Sequence, residues 1–285
     1  MNAQVDSDAS DHQKEVISGE RFEFGKNWSH FLEHLTEDRM DQAASSLENM
    51  LGVETLAGKS LIDIGSGSGI FSLAACRLGA ARVHSFDFDP DSVACAGELK
   101  RRYSTELSTT WTIERGSVLD EAYVASLGQF DIVYSWGVLH HTGEMWRALS
   151  NAATLVAPGG SLYIAIYNDQ GWASEGWAAV KKAYNHLPPS MRFLVLWPAF
   201  LRLWVPTTVK GLLRGKPFEA WKSYKSNRGM SAWHDVVDWV GGYPFEVAKP
   251  EQIFEFYRER GFRLESLQTC GGGKGCNEFL FHRDR

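Results

Sequence analysis

Cysteine is scarce in this chain: four residues in 285, at Cys76, Cys95, Cys270 and Cys276, with no CxxC pair among them. That number and spacing exclude a disulfide scaffold and suit reduced thiols in a cytoplasmic protein. Apolar runs are short. The longest candidate, Phe193 to Val205, is too short to span a bilayer and is interrupted by Pro198 and Arg202. It reads as a buried hairpin, a dimer surface or an interfacial anchor. The N-terminus carries Asp6, Asp8 and Asp11 but no hydrophobic signal core, which argues against secretion. Internal repeats and low-complexity segments are not apparent. A last shortage is local. Between Gly176 and Met230, Glu219 is the only acid against ten Lys/Arg, so this segment is +9 in a chain of net charge −6. What is present is 44% hydrophobic and 13% aromatic content, which fits one folded domain carrying an insertion.

The informative stretch is Leu61-Ile62-Asp63-Ile64-Gly65-Ser66-Gly67-Ser68-Gly69-Ile70. An apolar run ends in an acid, three glycines alternate with serines, and helical spacing resumes at Ile70. This is a buried strand, a tight turn and a helix start, where backbone approaches a ligand without an intervening Cβ. The dinucleotide fingerprint places its third glycine three positions after the second. Here the glycines are evenly spaced, and Asp63 sits two residues before the first. A carboxylate there would repel a pyrophosphate but suits a ligand with an ammonium group. S-adenosylmethionine, with no phosphate, an amino-acid moiety and a sulfonium, is such a ligand; a nicotinamide dinucleotide is the less suited alternative.

Further strands follow in register with an open α/β sheet. Arg82 to Asp87 ends in an acid about 20 residues past the loop, where a carboxylate accepts both ribose hydroxyls. Asp89 is its near neighbour and could instead cap the next helix. Trp111 to Arg115 reads as strand three, Phe130 to Ser135 as strand four and Ser161 to Tyr167 as strand five, entered through the turn Ala157-Pro158-Gly159-Gly160. Pro250 to Gly261 reads as a helix, and Phe262 to Leu267 with Asn277 to His282 as a closing hairpin.

From about Leu56 to Asn168, and again after Pro250, the chain resembles the class I S-adenosylmethionine-dependent methyltransferases, whose first motif is acid-x-Gly-x-Gly-x-Gly. The branch with the ubiquinone-biosynthesis and related small-molecule enzymes is the most similar. The resemblance implies a doubly wound, mostly parallel seven-stranded sheet with a reversed last strand, an N-terminal helical cap and a large helical insertion after strand five. The expected layout is a flexible tail over 1–20, the cap over 21–55, a donor-binding core over 56–167, the insertion over 168–249 and a completing helix and hairpin over 250–285. S-adenosylmethionine is the implied cofactor. It would be held by Asp63, Gly65, Ser66, Gly67, Gly69, Asp87, Phe88, Ser117, Val118, Ser135 and Trp136; many relatives carry an acid in place of Ser117. A non-catalytic donor-binding protein is a further alternative.

Methyl transfer needs an in-line nucleophile held close to the methyl group, and a hydroxyl or carbon acceptor gains from a general base. His140 and His141, just past strand four, and His234 in the insertion are the candidate bases; helix capping or packing is the competing use of either adjacent histidine. No metal is expected, because His140-His141 lacks the helical spacing of a zinc pair. Trp28, Tyr167, Asn168, Tyr184 and Arg228 are candidate acceptor contacts. The basic, tryptophan-rich insertion reads in three ways: a solvated cationic face, capture of a small or amphipathic (prenylated, lipid-linked or anionic) acceptor or of an anionic membrane, or nucleic-acid binding. The acidic balance of the whole chain and the lack of an RNA-module signature weigh against the last. Peripheral membrane contact and a homodimer are both compatible with it.

Overall fold

Leu61-Ile62-Asp63-Ile64 needs apolar cover on both sides, and it obtains it as the middle of a sheet. The computed structural model describes residues 12–25, 35–105, 107–216 and 232–284, apart from the side chains of residues 207, 232–235 and 238. In it β1 (Ser60–Ile64) pairs in parallel with β2 (Arg82–Asp87) on one side and β4 (Phe130–Trp136) on the other. β3 (Thr110–Arg115) adds beyond β2, and β5 (Val156–Tyr167) beyond β4, also in parallel. β7 (Cys276–Arg283) runs antiparallel to β5, and β6 (Phe262–Gln268) pairs antiparallel with β7 at the edge. The order is β3-β2-β1-β4-β5-β7-β6, the doubly wound sheet with a reversed last strand that the sequence predicts. Strand order reverses between β1 and β4, so their carboxyl ends flank the crevice where such sheets bind ligands.

Alternation along the strands divides the core in two. Leu61, Val83, Ile132, Tyr134, Tyr163 and Leu280 face the layer of α2 (Glu37–Leu51) and α3 (Ile70–Arg77). Ile62, Ile64, Val133, Leu162, Ile164 and Phe281 face α6 (Met145–Thr154) and α10 (Pro250–Arg258). Each such side chain contributes about 1.5–3 kcal/mol by leaving water. Asp89 caps α4 (Pro90–Tyr103) by accepting from the Asp91 N–H, and Asp120 caps α5 (Glu121–Ser126) by accepting from Ala122 and Tyr123.

The chain forms two compact units. One holds Glu23–Gly171 and Glu246–Arg285, the other Gln13–Phe22 and Trp172–Phe245. In the second, α7 (Trp172–His186), α8 (Phe193–Leu213) and α9 (Ala232–Gly241) bury Tyr184, Leu196, Ala199, Trp204, Val236 and Val240. Lys181 is fully buried there. Its ammonium donates to the Trp239 carbonyl and lies 4.4 Å from the Trp239 ring centroid, and burial lowers its pKa to about 7.

Several details differ from the sequence expectations. Residues 12–18, expected as tail, form a helix, α1. The insertion begins and ends a few residues inside 168–249, because its flanks are tied to the first unit. Asn168 bridges to Ala248 and Asn168 N–H donates to Gly275, while Glu246 N–H donates to the His140 carbonyl at 3.0 Å. Strand five does not start after the Pro-Gly-Gly turn. It runs through it as an irregularity, where pairing with β4 shifts between Phe130 and Ile132. α8 continues through Pro198 and Pro206. An interior proline costs about 3 kcal/mol, which the burial of Leu196, Ala199 and Trp204 offsets.

Candidate donor site and active centre

The glycine loop is held largely by backbone hydrogen bonds. Gly65 and Ser66 N–H groups donate to the Phe86 carbonyl, and Gly69 N–H donates to Ser66. Gly65 has φ +72°, and a Cβ there would lie 2.3 Å from Val138 Cγ1. Gly69, at φ +79°, would press a Cβ to 2.9 Å from Ala96 Cβ. Neither position tolerates a side chain, so the loop is packed between α4 and the turn after β4. Ser66 Oγ is buried with no hydrogen-bond partner in this structure. A polar atom so placed lacks compensation until a ligand or water supplies it.

Asp63 sits below this loop, 2% exposed. Ser72 Oγ donates to its Oδ2 at 2.5 Å, Ser85 Oγ donates to Ser72 at 2.6 Å, and Trp111 Nε1 donates to Ser85 at 2.7 Å. This buried relay spans β1, α3, β2 and β3. Burial pushes the Asp63 carboxyl up to about 7, opposed by the Ser72 hydrogen bond and reinforced by Asp87. Asp87, at the end of β2, accepts from Gly67 N–H on Oδ2 and from Asp89 N–H on Oδ1, both at 2.9 Å. Burial raises it to about 6 despite those backbone donors. Phe88 lies under the Arg115 guanidinium, 5.4 Å from the ring centroid.

Sequence reasoning missed the clasp on this loop. Gly25 N–H donates to Asp89 Oδ2 at 2.7 Å, and the His12 imidazole lies 3.8 Å from the same oxygen and edge-on to Phe88. Asp89 thus holds the N-terminal segment as well as capping α4.

Ser117 accepts from Leu119 N–H, and the Val118 carbonyl accepts from Asn151 Nδ2 at 2.8 Å, which sets the loop after β3. At the end of β4, Ser135 Oγ donates to the Ile64 carbonyl at 3.0 Å, locking β4 to β1. Trp136 is 43% exposed and donates from Nε1 to Glu278 Oε1 at 3.2 Å. Glu278 also accepts from the Tyr163 hydroxyl. Nothing in the sequence singles out Glu278, because strand pairing alone brings it beside β5 and β4.

The turn Leu139–His141 places both histidines at the carboxyl end of β4. His140 is fully buried, with its ring centroid 4.0 Å from that of Tyr167; His141 is 8% exposed and meets Tyr167 edge-on at 5.4 Å. Phe24 lies 5.2 Å from His141. Among the described residues, no group of three His, Cys, Asp or Glu is arranged to hold a metal.

A model of a methyltransferase domain matches residues 31–213. The chain belongs to that family. Among curated relatives, this methyltransferase-domain protein is 33% identical over 118 residues to a ubiquinone biosynthesis O-methyltransferase of Methylobacterium sp. (strain 4-46), covering 41% of this chain and 45% of that one. It is 35% identical over 117 residues to a ribosomal protein L11 methyltransferase of Geotalea daltonii, covering 40% and 33%. The chain spans half or less of the length of these two relatives. Its fold is shared with PKMT2 from Rickettsia typhi, solved in complex with AdoHcy, at a TM-score of 0.54, 14% identity, and coverage of 85% and 52%. S-adenosylmethionine is the cofactor of the family, and the nicotinamide alternative is set aside. The residues present fit that donor: a side-chain-free cradle at Gly65, the unmatched Ser66 hydroxyl, and two acids suited to an ammonium and a diol.

Of the acceptor contacts expected for the methyltransferase-domain protein, Tyr167 joins the histidines, while two others are used structurally. Asn168 donates from Nδ2 to the Gly273 carbonyl and accepts on Oδ1 from Asn277, so its amide pins the β6–β7 loop. Tyr184 is 4% exposed in the core of the second unit, with Arg192 over its ring, so packing is its observed role. Trp28 and Arg228 lie outside the described residues. His234 belongs to α9, and its side chain is outside them too.

Proposed function

We propose that this protein transfers a methyl group from S-adenosylmethionine to a small or amphipathic acceptor, at a hydroxyl oxygen or at carbon, by in-line displacement. The observation that carries the reading is the convergence of His140, His141, Tyr167 and Phe24 at the end of β4 and β5. The same sheet edge carries Asp63 and Asp87. β1, which carries Asp63, neighbours β4 directly, and β2, which carries Asp87, lies one strand further, so the donor-loop acids and the histidines share the carboxyl end of the sheet.

The donor supplies an electrophilic methyl on sulfonium. Asp87 would accept from the ribose hydroxyls of the donor, with Gly67 N–H fixing its orientation. Asp63 would favour the donor's cationic end when ionised, kept in place by Ser72. His141, the more exposed of the pair, takes the acceptor's proton, and His140 orients it by packing against Tyr167. Holding two reactants in line is worth on the order of 7–11 kcal/mol, and a positioned base adds roughly 10²–10⁴-fold. The names of the curated relatives, ubiquinone biosynthesis O-methyltransferases, favour oxygen as the accepting atom.

Calorimetric titration with S-adenosylhomocysteine, then turnover of labelled S-adenosylmethionine with catechols and quinols, tests the proposal. Donor binding with methylated phenol is the expected result. Binding without turnover on any phenolic, quinol or lipid acceptor would make this a non-catalytic donor-binding protein, and no donor binding would end the reading.

A further inference from the structure

The long helix α8 buries one side and leaves the other substantially exposed to solvent. Leu196, Ala199 and Trp204 pack inward. Leu194, Trp197, Leu201, Val205, Val209 and Leu212 recur at steps of three or four, and each is at least 47% exposed. Such spacing keeps them on one face of the helix, and 21 residues extend about 31 Å. A solvent-facing apolar stripe of that length marks an interaction surface. Exposed Arg202, Lys210, Arg214 and Lys216 accompany it, and no Asp or Glu occurs from Gly176 to Lys216.

We propose that this face of α8 is an in-plane anchor that docks the protein on an anionic lipid surface, with the six apolar side chains in the acyl boundary and the cations at the headgroups. Three observations select that occupant. No described helix is long and apolar enough to cross a membrane, so α8 would lie on the bilayer rather than through it. The charges beside the stripe are of one sign, which complements anionic headgroups. A second copy of the chain would bring the same surface, and a two-fold contact would set cation against cation. The inference stands apart from the methyl-transfer chemistry, and its failure leaves that reading untouched.

The test uses the full chain in flotation with vesicles of phosphatidylcholine alone and of phosphatidylcholine mixed with phosphatidylglycerol, at low and high salt. Binding to the mixed vesicles, weakened by salt and accompanied by a blue shift of tryptophan emission, is expected. The Trp197→Glu/Leu201→Glu variant should lose binding by more than tenfold while its S-adenosylhomocysteine titration is unchanged. Arg202→Gln, Lys210→Gln and Arg214→Gln should each weaken binding to mixed vesicles about fivefold. Equal binding to both vesicle types, absence of binding to either, or full binding by the Trp197→Glu/Leu201→Glu variant would overturn the proposal. A dimer in solution that the same variant dissociates, with no vesicle binding, would assign the stripe to a second copy instead.

Discussion

Gly67 donates its backbone N–H to Asp87 Oδ2 at 2.9 Å, which ties the tip of the glycine loop to the acid that ends β2. The acid that would hold the ribose is oriented by the loop beside the donor's amino-acid end. Preorganisation of that kind lowers the ordering cost of binding.

Replacing Asp87 by Ala removes an acceptor of Gly67 and Asp89 N–H groups together with the proposed ribose contact. Hydrogen bonds to a charged group are worth about 1.5–3 kcal/mol each, so S-adenosylhomocysteine affinity should fall by at least about a hundredfold. Calorimetry of Asp87→Ala reads this directly, and Asp87→Asn should fall between it and the parent.

Gly65→Ala places a methyl 2.3 Å from Val138 Cγ1. Donor affinity should fall more than about tenfold, because the loop must shift and a left-handed φ is strained for alanine at about 1 kcal/mol or more. Val138→Ala in the same chain should recover part of the loss by relieving the collision and leave the strain. No recovery would mean that backbone conformation alone forbids the side chain.

Asp63 carries a pH signature. A carboxyl raised to about 7 by burial holds its proton longer in the folded than in the unfolded state, whose value is 3.8. Its stabilising contribution is therefore complete below the unfolded value and is lost as pH rises through about 7. Asp63→Asn should raise the melting temperature of the donor-free protein above that pH, by up to about 4 kcal/mol in stability, and lose the advantage in acid. The same substitution should weaken S-adenosylhomocysteine binding above about pH 7, where the carboxyl is ionised, and matter less in acid, and melting curves with and without ligand separate the two effects.

His141→Ala should lower kcat by roughly 10²–10⁴-fold and leave the donor KM unchanged, since the ring lies at the β4–β5 end and not on the glycine loop. His140→Ala should instead lower thermal stability, because it removes a fully buried ring packed 4.0 Å from Tyr167. Reversal of these two patterns would exchange the roles of the histidines.

Local chemistry made the sheet legible in advance. The strand, glycine-turn and helix pattern at Leu61 to Ile70 and the acid ending Arg82 to Asp87 depend on residues close in sequence, and these gave the donor loop, while the sheet's arrangement was implied by the family resemblance those residues carry. Tyr167 and the two histidines were also legible, since the carboxyl ends of β4 and β5 must share one edge. Pro198, read as an interruption of the apolar run, lies inside a continuous helix, because a local helix penalty of a few kcal/mol is outweighed by burial that only packing reveals.

What the sequence determined by itself was therefore the periodicity of its strands and helices, the backbone freedom of the glycine loop and the charge imbalance of the insertion. All three are properties of neighbouring residues. The tertiary structure alone decided that Asp63 ends a relay from Trp111, that Asp89 clasps Gly25, that Glu278 receives Trp136 and Tyr163, and that α8 turns its apolar stripe outward. Each of these depends on residues far apart in the chain or on which side of an element faces its neighbours, and that is settled only when the layers pack.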